Sequence, residues 1–107
     1  MKVNINPLSV NQCWKGRRYK TDLYNKYERD MIALLPILNV SNGLLSIKMV
    51  FAFSSKLKDI DNPLKPFLDI LQKKYKFNDR DIYKLEVEKT IVAKGKEYIE
   101  FEIKSYK

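Results

Sequence analysis

An alternation in the middle of the chain constrains the fold more than any other feature. Across residues 44–53, Leu45, Ile47, Met49, Phe51 and Phe53 alternate with smaller or polar side chains. Successive side chains of a strand point to opposite faces, so the pattern predicts a β-strand with one strongly buried face. Such a strand needs neighbouring strands and a cover over its apolar face, and the rest of the chain has to supply both.

Two helical patterns can supply the cover. The first begins at Thr21, a predicted N-cap, and ends before Pro36; its apolar stripe comprises Leu23, Tyr27, Met31, Leu34 and Leu35. The second is predicted from about Asp61 to Tyr75, with Asp61 or Asn62 as the cap and Pro63 in the first turn. Its stripe comprises Leu64, Phe67, Leu68, Leu71 and Tyr75.

Three further segments read as strands. Residues 3–5 alternate, as do residues 83–92 and 97–104, and residues 93–96 (Ala-Lys-Gly-Lys) are typical of a hairpin turn between the last two. The predicted order is β-α-β-α-β-β, with the third and fourth strands antiparallel. We therefore expect a single α+β domain over residues 1–107, in which a mixed sheet forms one layer and the helices cover one of its faces.

Two counts exclude several kinds of chemistry. The chain has no histidine and one cysteine, Cys13. Nucleophiles that need an imidazole base, zinc sites built from His and Cys, and intramolecular disulfides are therefore excluded. Any catalysis has to rest on carboxylates, lysine, hydroxyl groups or a carboxylate-bound metal. Cys13 itself is expected to be a small buried or half-buried side chain.

The charge is unevenly distributed. The net charge is +8, and residues 1–58 hold 10 Lys and Arg against 3 Asp and Glu, with a peak across residues 15–20. A basic face with aromatic side chains suits the phosphate backbone of nucleic acids, although a basic surface that only confers solubility is the alternative. No apolar run approaches a membrane span, and no apolar signal segment is evident, so we expect a cytoplasmic protein without a membrane partner.

One group of residues has the composition of a metal site. Asp59 and Asp61 are two residues apart, so in an extended segment their side chains lie on the same side and can converge on Mg²⁺. Lys65 follows Asp61 by four residues, and Asp79 comes from the loop after the second helix. Carboxylate-held Mg²⁺ with a lysine is a chemistry for hydrolysing phosphodiesters that needs no histidine.

On spacing alone, structural roles explain the same residues better. Asp61 can cap the helix, Asp59 can be a solvated loop charge, and Asp79 can be a turn residue. Lys65 can form an ion pair with Asp61 or Asp69, each four residues away. The aromatic residues Trp14, Tyr19 and Tyr24 can stack on bases, but core positions are the more common use.

The residues taken together resemble the RusA family of Holliday junction resolvases, small endodeoxyribonucleases carried by phages and prophages. Residues 59–69 (Asp-Ile-Asp-Asn-Pro-Leu-Lys-Pro-Phe-Leu-Asp) are similar to the family signature Asp-x-Asp-Asn-x-x-Lys-x-x-x-Asp. Residues 77–82 (Phe-Asn-Asp-Arg-Asp-Ile) are similar to its downstream acidic loop. Residues 7–11 (Pro-Leu-Ser-Val-Asn), with Trp14 and the basic residues 15–19, are similar to its opening segment.

The resemblance implies a homodimeric, Mg²⁺- or Mn²⁺-dependent enzyme of DNA recombination and repair that cuts four-way junction DNA symmetrically on two strands. By position, Asp59, Asp61 and Asp79 would be the catalytic, metal-binding carboxylates and Lys65 the catalytic lysine. The family often has two consecutive aspartates where Asn78 and Asp79 stand here, which leaves Asp81 as a rival. The DNA-binding residues would be Asn11, Trp14, Lys15, Arg17, Arg18, Lys20, Lys56 and Lys58. A non-catalytic basic module that binds nucleic acid is the alternative.

Overall fold

The structure, a computed structural model, describes residues 1–15 and 19–106. Two helices and one main sheet make up most of it. The helices are α1 (Asp22–Leu34) and α2 (Leu64–Tyr75). The strands are β1 (Lys2–Val3), β2 (Trp14–Lys15), β3 (Tyr19–Lys20), β4 (Leu45–Phe53), β5 (Ile82–Ile91) and β6 (Tyr98–Ser105). Short 3₁₀ turns span Val10–Gln12 and Asp79–Asp81.

The predicted alternating strand, β4, lies at the centre of a four-stranded mixed sheet in the order β1-β6-β4-β5. It pairs in parallel with β5 and antiparallel with β6, and Phe51 lies opposite Lys89 on one side and Ile99 on the other. The short β1 pairs antiparallel with the outer edge of β6. The expected α+β class with a mixed sheet and two helices is confirmed.

The predicted hairpin between the last two strands is wrong. β5 and β6 run in opposite directions, as expected, but each pairs with β4 and β4 separates them. The turn at residues 93–96 therefore carries the chain across the end of β4, where the Val92 N–H donates to the Phe53 carbonyl at 2.8 Å. The physical reason is that β4 is the most apolar strand, and the central position pairs both of its edges.

The core lies between the sheet and the two helices. Ile47, Met49 and Phe51 of β4 are fully buried on the helix side, whereas Lys48 on the opposite face is exposed. The Phe67 ring of α2 packs edge-on against Phe51, with ring centres 5.8 Å apart, and against Phe101 of β6 at 5.6 Å. These aromatic contacts hold the first half of α2 against the sheet.

Helix α1 begins as predicted but buries a somewhat different face. The Thr21 hydroxyl accepts a hydrogen bond from the Tyr24 N–H at 3.1 Å, which confirms the N-cap. Tyr24, Tyr27 and Met31 are the buried residues of the helix, whereas Leu23 and Leu34 of the predicted stripe are about half exposed. Tyr27, Met31 and Leu35 of the predicted stripe are thus buried, and Tyr24 joins them in the core in place of Leu23.

Helix α2 begins two to three residues later than expected, and the predicted cap is wrong. Pro63 occupies the N-cap position, and no side chain caps the first turn. Proline has no N–H that would need a capping acceptor, and its fixed φ suits the start of a helix. The tight turn before α2 therefore ends at Pro63, and the Asp61 carboxylate is not needed as a cap. Lys76, in the left-handed conformation at φ 61°, ends the helix, and its N–H donates to the Gln72 carbonyl at 2.9 Å.

The N-terminal segment is more structured than the predicted strand and long loop. The strand predicted at residues 3–5 is β1, which is shorter and begins one residue earlier. Beyond it, β2 and β3 form a two-stranded antiparallel sheet. The Cys13 carbonyl accepts from the Thr21 N–H at 2.9 Å, and Cys13 is buried as expected. In the described part of the chain, no helix has the length and apolarity needed to cross a membrane.

The buried tyrosines give a measurable signature of this core. Burial raises the pKa of both Tyr24 and Tyr27 well above the usual value, with a further contribution to Tyr24 from Glu28. The unfolded chain ionises these phenols near pH 10 and the folded chain does not, so stability should fall as the pH rises above about 10. We expect an ultraviolet phenolate titration to show two of the 7 tyrosines ionising only with unfolding. Ionisation of all of them near pH 10 in a folded protein would contradict this packing.

Candidate functional site

The loop between β4 and α2, residues 54–63, carries two of the predicted carboxylates. It is a series of tight turns: the Ser55 hydroxyl accepts from the Leu57 N–H at 3.2 Å, and the Asp59 carbonyl accepts from the Asn62 N–H at 3.4 Å. The Asp61 carbonyl accepts from the Leu64 N–H at 3.2 Å. Asp59 and Asp61 are both exposed. Their main-chain atoms shape the loop and leave the carboxylates accessible to solvent.

The loop lies at the carboxyl ends of two parallel strands. Phe53, the last residue of β4, lies opposite Ile91, the last residue of β5. In open sheets, this edge of a parallel strand pair is where ligands commonly bind, because the connections there diverge and leave a crevice. The two aspartates of the signature-like segment therefore stand at a favourable edge of the sheet.

Three lysines lie on or beside the same loop. Lys56 and Lys58 belong to the loop and are exposed. The Lys89 ammonium of β5 donates to the Lys58 carbonyl at 2.8 Å and to the Lys56 carbonyl at 3.5 Å. Sequence reasoning missed Lys89. The sequence does mark this residue: Lys89 interrupts a row of apolar residues at alternate positions of β5, namely Leu85, Val87 and Ile91.

Lys65 is held on the flank of α2 by a carboxylate one turn further along. Its ammonium donates to Asp69 Oδ1 at 2.8 Å. The hydrogen bond to Asp69 raises the pKa of Lys65, and the charges of Asp69 and Asp79 add to this effect. The ion-pair interpretation of Lys65 is therefore confirmed, with Asp69 as the partner. The Lys65 side chain is largely exposed and that of Asp69 is about one-third exposed, so the pair contributes little to stability.

Asp79 lies beyond the other end of α2. Its N–H donates to Gln72 Oε1 at 3.0 Å, and it begins the 3₁₀ turn that leads into β5. The helix rises about 12 Å from Leu64 to Gln72, yet the charge of Asp79 still acts on Lys65 in the first turn of α2. Asp79 is exposed, whereas its rival Asp81 is half-buried and donates its N–H to the Asn78 carbonyl at 3.0 Å.

The three predicted metal ligands come from two segments of the structure, on either side of α2 in sequence. Across residues 1–15 and 19–106, no three side chains of Asp, Glu, Cys or His are arranged to hold a metal ion together. The structure brings Lys65 to Asp69, with Asp79 near enough to act on the same ammonium, and leaves Asp59 and Asp61 at the start of the helix. The assignment of Asp59, Asp61 and Asp79 as metal ligands therefore stays a prediction.

The predicted DNA-binding residues are only partly described. Arg17 and Arg18 lie outside the described residues, and Trp14, Lys15 and Lys20 are described only as strand positions. Asn11 is exposed in the N-terminal 3₁₀ turn, and its N–H donates to Ser9 Oγ at 3.2 Å. Of the predicted set, Lys56 and Lys58 are thus the two cations that the structure locates beside the aspartates.

A cleft of about 370 Å³ opens beside the loop, between the N-terminal segment and α1. Ser54 and Lys58 line it from the loop side, and Asn6, Gln12 and Tyr27 line it from the other. Its volume falls in the range of small-ligand sites, and its mixture of polar and apolar walls can accommodate part of a nucleotide.

No protein-family model matches the chain, and no curated protein matches it significantly.

Proposed function

We propose that the chain is an endodeoxyribonuclease that resolves four-way DNA junctions by paired, symmetric cleavage as a homodimer in the cytoplasm. The observation that carries the proposal is the placement of residues 59–65, the segment that most resembles the RusA signature. It begins in an exposed loop at the carboxyl ends of two parallel strands and runs into α2. The resemblance supplies the substrate, the dimer and the reaction.

The surroundings of the loop support a phosphate-bearing substrate. Lys56 and Lys58 are exposed beside Asp59 and Asp61. Lysines at such an edge attract a nucleic-acid backbone through its charge and bind it without reading the base sequence. The Asp61 carboxylate does not cap α2, so its main structural explanation is removed. These features favour a binding role for the loop over a purely structural one.

The use of Mg²⁺ or Mn²⁺ is proposed on the resemblance to the RusA family alone. Asp59 and Asp61 are the carboxylates best placed to meet a cation that arrives with substrate phosphates, since Mg²⁺ often takes only one or two protein carboxylates and keeps several waters. Lys56 and Lys58 would bind phosphate, and Lys65, positively charged at neutral pH, would remain paired with Asp69 until substrate arrives.

A non-catalytic module that binds nucleic acid is the second candidate. The net charge of +8 and the exposed lysines of the loop support it as well, because binding to phosphates needs neither a metal nor the Asp61 carboxylate. Such a module would bind DNA in a salt-dependent way that is indifferent both to Mg²⁺ and to the charge of Asp61.

A comparison of binding and cleavage on one substrate pair separates the two candidates. The protein would be incubated with an end-labelled four-way junction and with a linear duplex of the same sequence, with and without Mg²⁺. The endonuclease proposal predicts nicking of the junction only with Mg²⁺ and little nicking of the duplex. Tight junction binding with no nicking in Mg²⁺ or Mn²⁺ would favour the module. Sedimentation of the free protein tests the dimer.

Lys65→Met separates a functional lysine from a surface ion pair. Because the Lys65–Asp69 pair is exposed, its loss should cost at most about 1 kcal/mol of folding free energy. Junction cleavage should fall much further, by about 100-fold, if the ammonium stabilises developing negative charge. Lys104→Met removes a comparable exposed ion pair, with Glu102 on β6, and is the matched control. Equal small effects of the two variants on cleavage would remove Lys65 from the site.

A further inference from the structure

One lysine of β5 occupies a position where the pattern of the strand calls for an apolar side chain. Leu85, Val87 and Ile91 of β5 lie on the same face of the sheet as the buried residues of β4, and Lys89 stands within this row. Its direct neighbour on β4 is Phe51, which is fully buried in the core. A lysine here can cover apolar surface with its methylene groups only if its ammonium reaches a polar partner.

The partner is the loop that carries the aspartates. The Lys89 ammonium donates to the carbonyls of Lys58 and Lys56, 31 and 33 residues away along the chain. The Lys58 carbonyl directly precedes Asp59. This contact therefore fixes the loop immediately before the first carboxylate, and it does so from a strand whose position is set by pairing with β4.

A second contact joins the loop to the same side of the sheet. The Ser54 hydroxyl forms a hydrogen bond that lowers the pKa of Glu97, and the Glu97 carboxylate also accepts from the Gly95 N–H at 3.0 Å. The loop is thus attached at its first residue to the turn after β5, and at residues 56 and 58 to β5 itself. Lys89 is the attachment nearer to the aspartates.

We propose that Lys89 is a positioning residue that holds the loop of residues 56–61 so that Asp59 and Asp61 face the substrate. The expected effect of Lys89 on cleavage rests on the proposed function. The attachment of the loop by Lys89 does not depend on that function. Lys89 does not touch the reacting atoms in this proposal; it acts through the main chain of Lys58.

Hydrogen exchange and kinetics on three variants test the proposal. Lys89→Met keeps the apolar stem and removes the ammonium, Lys89→Arg restores a cation, and Lys84→Met removes an exposed lysine of the same strand whose partner is Glu86. We expect exchange at the Leu57, Lys58 and Asn62 amides to speed up about tenfold in Lys89→Met, and to return toward wild type in Lys89→Arg. Lys84→Met should leave these amides unchanged.

The kinetic part of the test distinguishes positioning from folding. In Lys89→Met, kcat on the four-way junction should fall about tenfold with little change in KM, and Lys89→Arg should recover most of it. Unchanged exchange of the loop in Lys89→Met, or faster exchange with unaltered kcat, would overturn the proposal. If the wild-type protein does not cleave junctions at all, the proposed function fails, and the exchange result still decides whether Lys89 holds the loop.

Discussion

An Asp61→Asn variant should lose cleavage of a four-way junction by about 100-fold or more while keeping its fold and its affinity for DNA. Asparagine has the same size as aspartate but no charge, and removal of one group that stabilises charge in a transition state typically costs about 10² to 10³ in rate. The Asp61 side chain does not cap α2, and the helix start depends on its carbonyl, which asparagine retains.

The matched control for this prediction is Glu102→Gln on β6, which removes one exposed carboxylate from the opposite side of the domain. Cleavage rates, circular dichroism and binding to labelled junction DNA would be measured for both variants. Wild-type cleavage by Asp61→Asn would remove this carboxylate from the site. An equal loss in Glu102→Gln would show that general charge, rather than the position of Asp61, sets the rate.

A Phe67→Ala variant should lose about 3 to 5 kcal/mol of folding free energy. The Phe67 ring is fully buried, packs edge-on against Phe51 and Phe101, and connects α2 to both β4 and β6. Its removal leaves a cavity at the centre of the core, which the surrounding aromatic rings can fill only in part. For a domain of this size, the melting temperature should fall by at least about 12 °C.

Thermal melting of Phe67→Ala is compared with that of Leu57→Ala, since Leu57 lies on the site loop with a side chain that is 89% exposed. The control should melt within about 2 °C of wild type, because surface substitutions usually change stability by less than 0.5 kcal/mol. A similar small shift in Phe67→Ala would show that α2 does not pack on the sheet through this residue.

The sequence predicts best those helices and strands whose apolar residues repeat with a regular spacing. Strand β4 and both helices appear close to the expected places, because the apolar residues repeat at spacings that only one kind of element can bury. The pairing of the strands was predicted less well. Alternation shows that β5 and β6 are strands, but it does not show that β4 lies between them, since that choice depends on which strand gains most from two neighbours.

In the candidate site, residues that are close in sequence could be predicted together, whereas those that only the fold brings near could not. The two aspartates and Lys65 lie within seven residues of sequence, so the sequence could place them together at one loop and helix start. Asp79 follows on the far side of α2 in sequence, and only the structure shows that its charge acts on Lys65. Lys89 could be recognised only after the parallel register put it beside the loop.

The most direct test of the proposed function is to map the cuts that the protein makes in a four-way junction labelled on each strand in turn. The proposal predicts Mg²⁺-dependent nicks at matching positions in two opposing strands, with products that ligate into two intact duplexes. Absence of nicks in Mg²⁺ and Mn²⁺, or nicks spread over all four strands and equally frequent in linear duplex, would contradict it.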